Sequence, residues 1–175
     1  GPLRGGKGST WEGGVRVPAL ARWPGRIPAG AVSDAAIGLI ALLPTFVSLA
    51  GAPIPEAPRI DGRDLSPLLL GDNVVSPHEA WFFYNVDRLE AVRSGPWKLA
   101  LRPQIENLGD PQFPPDAAGS SARLYNLNTD LGERTDLAAR HPDVVRRLQR
   151  LASAMARDLG DGAPGPGVRP AARAE

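Results

Sequence analysis

Four short β-prone runs followed by one long amphipathic helix constrain this chain more than any other feature. The runs are Trp81-Phe82-Phe83-Tyr84, Leu89-Glu90-Ala91-Val92-Arg93, Trp97-Lys98-Leu99-Ala100-Leu101 and Arg123-Leu124-Tyr125-Asn126-Leu127. Ser94-Gly95-Pro96 forms a turn between the second and third, and the turn formers Asn128, Asp130 and Gly132 end the last. Short strands at such spacing predict an antiparallel meander. The helix starts at Pro142, because proline is favoured at the first helical position and Asp143 suits the positive end of the helix dipole. Val144, Val145, Leu148, Leu151, Ala152, Met155 and Leu159 recur on one face, and Gly160 stops the helix. Burying that stripe against the meander contributes about 1.5–3 kcal/mol per large side chain before entropy is subtracted. The expected product is a mixed α/β unit: a small antiparallel four-stranded sheet packed by a C-terminal helix.

The first half reads differently. Residues 1–14 hold six glycines and one proline, too many for a regular helix or strand, so this stretch is expected to be a loop. Val15 to Trp23 mixes β-branched and apolar residues up to Pro24-Gly25 and predicts a short buried strand of a larger parallel sheet, with few ladder bonds because of Pro18. Ser33 to Ile40 predicts a second strand. From Leu42 a helix is expected, with Pro44 in its first turn, Gly51 at its end, and Leu42, Leu43, Phe46, Leu49 and Ala50 as its packed face. A Pro-rich connector and an apolar helical turn over Pro67–Leu70 follow, and Gly71-Asp72-Asn73 marks a boundary. Residues 1–73 and 74–160 are therefore read as two parts, and 161–175, which have almost nothing to bury, as a disordered tail.

Composition removes whole classes of function. The 175 residues include no cysteine, which excludes disulfide staples, thiolate-held metals and a thiol nucleophile. No apolar run approaches the ~18 residues that cross a bilayer, so no membrane partner is expected. Twenty basic against 19 acidic residues leave a formal charge of +1, too balanced for a dedicated nucleic-acid binder, and no nucleic acid is expected. The balance is local, however: residues 1–30 set Arg4, Lys7, Arg16, Arg22 and Arg26 against Glu12 alone. An anion is the natural partner of such a segment.

Of the 20 basic residues only Lys7 and Lys98 are lysine. Lys7 sits between Gly6 and Gly8, where small neighbours let a compact ammonium approach an oxyanion as a planar guanidinium does not. A nucleotide P-loop is rejected, since Gly8 stands where a hydroxyl must hold the metal and no strand precedes the loop. The run Gly1-Pro2-Leu3-Arg4-Gly5-Gly6-Lys7-Gly8-Ser9-Thr10-Trp11-Glu12-Gly13-Gly14-Val15-Arg16-Val17-Pro18, followed by Trp23-Pro24-Gly25-Arg26-Ile27, instead closely resembles a signature of the type I sulfatases, the arylsulfatase-like members of the alkaline-phosphatase superfamily. Leu42-Leu43-Pro44-Thr45, Ile60-Asp61-Gly62-Arg63-Asp64-Leu65, Ala91-Val92-Arg93 to Trp97-Lys98-Leu99, and Leu124-Tyr125-Asn126-Leu127 to Glu133 and Leu137-Ala138 agree in the same order. The similarity runs to about residue 159. Ala41 replaces a frequent Asp ahead of the Leu42 helix, which is expected to lack its cap at a cost of about 1 kcal/mol. Asp130-Leu131 replaces an Asp-Pro turn.

The resemblance implies the C-terminal part of an alkaline-phosphatase-like α/β fold and the hydrolysis of a sulfate ester, of a small molecule or a sulfated glycan. It implies a formylglycine nucleophile, made from Cys or Ser in a C/S-x-P-S/A-R motif, beside Ca2+. Neither that motif nor the metal ligands stand in this chain. They are expected upstream, in a catalytic part that precedes Gly1, so the chain alone is expected to be inactive and its localisation stays open. Only Lys7 matches an active-site position of the family, the lysine that contacts the substrate sulfate. Arg4, Glu12 and Arg16 are expected to steer the anion or brace the loop, Arg16 by pairing with an acid such as Glu12. His78 is read as a turn-to-strand cap and His141 as a helix cap or surface group; Asp61, Asp64, Asp72 and Asp130 are read as turn formers. Two alternatives stay open: a phosphonate or phosphate monoester hydrolase of the same superfamily, and a non-catalytic interaction module derived from a sulfatase.

Overall fold

The computed structural model describes residues 1–55, 60–71, 75–106 and 122–167. Two compact units result, Gly1–Val17 with Ala80–Glu175, and Pro18–Glu79. The first 17 residues thus group with the sheet that lies far downstream in sequence, rather than with the segment that follows them.

In the first unit, β1 (Trp81–Asn85), β2 (Arg88–Ser94), β3 (Trp97–Ala100) and β4 (Arg123–Asn126) form one sheet in the order β1-β2-β3-β4, every pair antiparallel. The expected meander and helix are both present. Helix α4 spans Pro142–Leu159 with proline in its first turn, and Gly160 adopts a positive φ of 98° where the chain leaves it. Strand alternation then sorts the side chains onto two faces. Leu89, Val92, Leu99 and Leu124 close a core with Leu148 and Ala152 of α4, and Val144, Val145 and Leu151 pack around it. An irregularity between Phe83 and Tyr84 shifts the β1–β2 register, so Phe83 pairs with Ala91 and Tyr84 with Leu89.

The opposite face is covered as well. Trp11, Ala100 and Tyr125 form a second buried cluster there, with Trp11 and Tyr125 edge to face at 5.9 Å between ring centroids. One short helix, α1 (Glu12–Val15), lies in this N-terminal segment, where a loop and the start of a strand were expected. Residues 16–23 are not a strand, and Val17 and Leu20 are exposed, Leu20 fully. Among the described residues no strand lies beside this run to pair with it, and Pro18 has no N–H to offer.

The second unit is irregular. Ser33 to Ile40 forms no strand, and a 3-10 turn over Leu39–Ala41 leads into α2 (Leu42–Leu49), with α3 over Ser66–Leu70. Helix α2 has Ala41 as its N-cap and no side-chain cap bond, in keeping with the missing acid at this position. Its orientation differs from expectation: Pro44 and Thr45 are buried, whereas Leu42, Leu43 and Phe46 are exposed, Phe46 at 61%. The Thr45 hydroxyl donates to the Ala41 carbonyl at 2.6 Å and accepts from the Leu65 N–H at 2.9 Å, which fixes that side inward. Asp64 behaves as a turn former, accepting from the Ser66 N–H at 2.7 Å. Asp72 lies outside the described residues.

Residues 161–167 do not form a disordered tail. Asp161 accepts from the Leu89 N–H at 3.0 Å and pairs with Arg102, and the Gly162 N–H donates to the Asp87 carbonyl at 2.8 Å. These polar ties hold a segment that has little apolar surface to bury. Residues 168–175 lie outside the described residues.

Leu148 is fully buried between α4 and the sheet. Leu148→Ala is therefore expected to lower unfolding free energy by about 2–5 kcal/mol in urea titrations followed by circular dichroism.

Candidate functional site

Gly5 and Gly8 both have positive φ, 70° and 93°, which bend the opening segment into a tight loop around Lys7. A side chain at Gly5 would meet Ser9 Oγ at 2.6 Å and Trp11 Cβ at 2.9 Å, so only glycine fits. Ser9 closes the turn, its N–H and hydroxyl both donating to the Gly6 carbonyl at 3.0 and 2.9 Å. Lys7 is at the exposed end of this loop and has no hydrogen-bond or ion-pair partner among the described residues.

The other charged residues of the loop are engaged. Arg4 donates from Nε and Nη2 to Glu106 Oε1 at 2.9 and 2.6 Å and from Nη1 to the Glu133 carbonyl at 3.0 Å, with its guanidinium 3.8 Å above the Trp11 ring. Glu12 is buried and accepts from Lys98 Nζ and from Arg93 Nη1, each at 3.1 Å. Glu12 therefore pairs with two cations of the sheet and not with Arg16, which is exposed and forms no ion pair among the described residues. Arg16 precedes an extended run that leaves the loop, so its side chain is carried away from the acid that sequence proximity suggested.

Sequence reasoning missed the centre of this arrangement. Lys98, read only as a strand residue, is 0% exposed and also reaches the Thr10 carbonyl at 2.8 Å and Glu133 Oε1 at 2.9 Å. Glu133 is likewise fully buried, takes a positive φ of 50°, and accepts the Glu12 N–H at 2.8 Å through Oε2. Thr10 donates to the buried carboxylate Glu90 Oε2 at 2.6 Å and accepts from Gln104 Nε2, while Asn85 donates to Glu90 Oε1 at 3.0 Å. The available signal was the lysine itself: the second of two in a chain that otherwise uses arginine, on a strand where Leu99 already marks the helix-facing side. An ammonium offers three divergent donors, and three acceptors surround this one.

His141 stands at the N-cap position of α4 without a side-chain cap bond, and its ring tilts against Trp97 at 4.8 Å, a packing role. His78 sits in a bend of the second unit with its N–H on Ser76 Oγ. Among the described residues no three His, Cys, Asp or Glu side chains gather as a metal site requires. The described residues therefore do not fit Ca2+, and the sequence holds no cysteine and no C/S-x-P-S/A-R motif from which a formylglycine is made.

Burial pushes the Glu133 carboxyl above the ordinary carboxylate range, against the pull of Lys98 and of the Glu12 N–H. A carboxyl raised on folding binds more protons in the native state, so its contribution to stability declines as pH rises from the ordinary value through the raised one. Replacing Glu133 by Gln is expected to remove that decline, so the stability of the variant relative to the parent should increase with pH across this window in urea titrations. Lys98→Met is expected to cost about 3–5 kcal/mol, because it takes the cation from the buried Glu133 carboxylate and one of two cations from Glu12.

The geometry agrees with the comparisons. Residues 76–164 match the family described as the C-terminal region of aryl-sulfatase, and residues 6–100 match the C-terminal part of N-sulphoglucosamine sulphohydrolase. Human arylsulfatase A is 42% identical over 167 residues, covering 86% of this chain and 32% of the relative. Mouse steryl-sulfatase is 50% identical over 181 residues, covering 88% and 28%. The crystal structure of the PsFucS1 sulfatase from Pseudoalteromonas superposes with a TM-score of 0.73 at 26% identity over 88% of this chain and 32% of that one. The chain thus spans about a third of the length of its relatives. The glycine-rich loop from residue 6, the meander and the long helix fall inside the matched segments, and the chain belongs to the sulfatase family, whose C-terminal region it represents.

Proposed function

We propose that the protein carrying this region hydrolyses a sulfate ester and that the Lys7 ammonium contacts the sulfate group of the substrate. One observation carries the reading: Arg4 and Glu12 are already paired within the fold, and Lys7 is the charged group of the loop left facing outward without a counter-ion among the described residues. A sulfate monoester carries negative charge on its non-bridging oxygens, and more develops on the leaving oxygen as the S–O bond breaks. A fixed cation beside these atoms favours binding and favours the transition state further, an effect worth about 3–4 kcal/mol for one well-placed donor in a dry site.

The kinship with arylsulfatase A and steryl-sulfatase supports a sulfate ester of a small molecule, and the fit to Ps i-CgsB, solved in complex with k-i-k-neocarrahexaose, supports a sulfated glycan. The nucleophile and the calcium ligands belong, in this reading, to an upstream catalytic part. Lys7 supplies charge and orientation to a centre assembled with that part.

In the full-length enzyme, Lys7→Ala is expected to lower kcat/KM for a chromogenic aryl sulfate by about 10²–10³. The melting temperature should stay nearly unchanged, because the side chain holds nothing in the fold. Unaltered kinetics would remove Lys7 from the site. The 175 residues alone should not turn the same substrate over; calcium-dependent turnover by the purified chain would refute the assignment of the nucleophile to an upstream part.

A further inference from the structure

An exposed lysine has a long, freely rotating stem, so whatever accuracy its ammonium has must come from the backbone beneath it. Two ties fix that backbone, and neither uses Lys7. On one side the wholly buried Lys98 holds the Thr10 carbonyl and the Glu12 carboxylate, three and five residues after Lys7, together with Glu133. On the other side Glu106 holds the chain just before Lys7: its carbonyl accepts the Gly6 N–H at 2.7 Å and its carboxylate accepts two donors of Arg4. Glu133 joins the ties, with its carboxylate on Lys98 and its carbonyl on Arg4.

We infer that Lys98 and Glu106 are positioning residues that fix the Lys7 loop for its anion from opposite sides. The inference rests on the reading that Lys7 contacts the sulfate. A donor aimed at developing charge works only when held close to its productive place, and a displacement of about 1 Å can cost about 10²-fold in rate. The larger core of the sheet lies on the other face against α4 and does not use these ties. They cost the burial of two carboxylates and an ammonium, a poor route to stability by itself.

The test uses the full-length enzyme and a chromogenic aryl sulfate, well below the melting temperature of each variant. Lys98→Arg keeps the charge but replaces three divergent donors by a flat fork. Glu106→Ala cuts the Arg4 tie at a side chain 45% exposed, and so reports even if Lys98→Arg fails to fold. Each is expected to lower kcat/KM by about 10-fold or more, chiefly through kcat, and to add less than about twofold when Lys7 is already Ala. Leu148→Ala, destabilised at the opposite face, should keep kcat/KM and so shows what lost stability alone does. The inference is overturned if the folded positioning variants stay within about twofold of the parent, or if their full loss persists in the Lys7→Ala background. If Lys7→Ala is itself silent, the sulfate-contact reading falls first and takes this one with it. Loss in Lys7→Ala with silent positioning variants removes only the inference made here.

Discussion

The arrangement of the first unit depends on one buried ammonium. Lys98 lies on β3 with no solvent exposure and has the Thr10 carbonyl, Glu12 and Glu133 as its partners, so it joins three segments far apart in sequence. Taking these charges out of water is expensive, and their mutual attraction is supplemented by Arg93 on Glu12 and by the Glu12 N–H on Glu133. Removing Lys98 leaves the buried Glu133 carboxylate without its cation in a dry place. The cluster is neutral as a set and costly in parts.

That ammonium also explains why the sheet has two buried faces. A four-stranded meander packed by one helix normally leaves its second face to water. Here Leu99 points to α4 while its neighbours Lys98 and Ala100 point to the other side, where Trp11 and Tyr125 close over them. The glycines between Arg4 and Gly14 permit the close fit, since the backbone of the loop packs directly against itself and against Trp11. The same fold therefore displays Lys7 outward while satisfying Arg4 and Glu12 inward. A loop that presents one cation and neutralises its own neighbours is suited to selecting one anion.

The sequence alone determined what depends on local periodicity and on chemistry carried by individual residues. Alternation and turn residues gave the four strands and their antiparallel order; proline, an apolar stripe and glycine gave α4 nearly to its ends; and the run from Gly1 to Pro18 pointed to the family and to Lys7. Tertiary structure decided what depends on a partner. Whether Val15 to Trp23 is a strand depends on a neighbour to pair with, and none stands beside it among the described residues. The face of α2 that turns inward carries Pro44 and Thr45, whose hydroxyl accepts from the Leu65 N–H, and not the apolar stripe. Residues 161–167 are held by Asp161 and backbone bonds, which a measure of buriable surface does not count. Lys98 is the sharpest case, because a lysine alternating with apolar residues reads as the wet side of a strand. Only the return of residues 1–17 across that face, some 80 positions away in sequence, makes it a buried charge. Local patterns are written in short-range spacing, whereas the cost of desolvating a charge depends on everything that comes to lie around it.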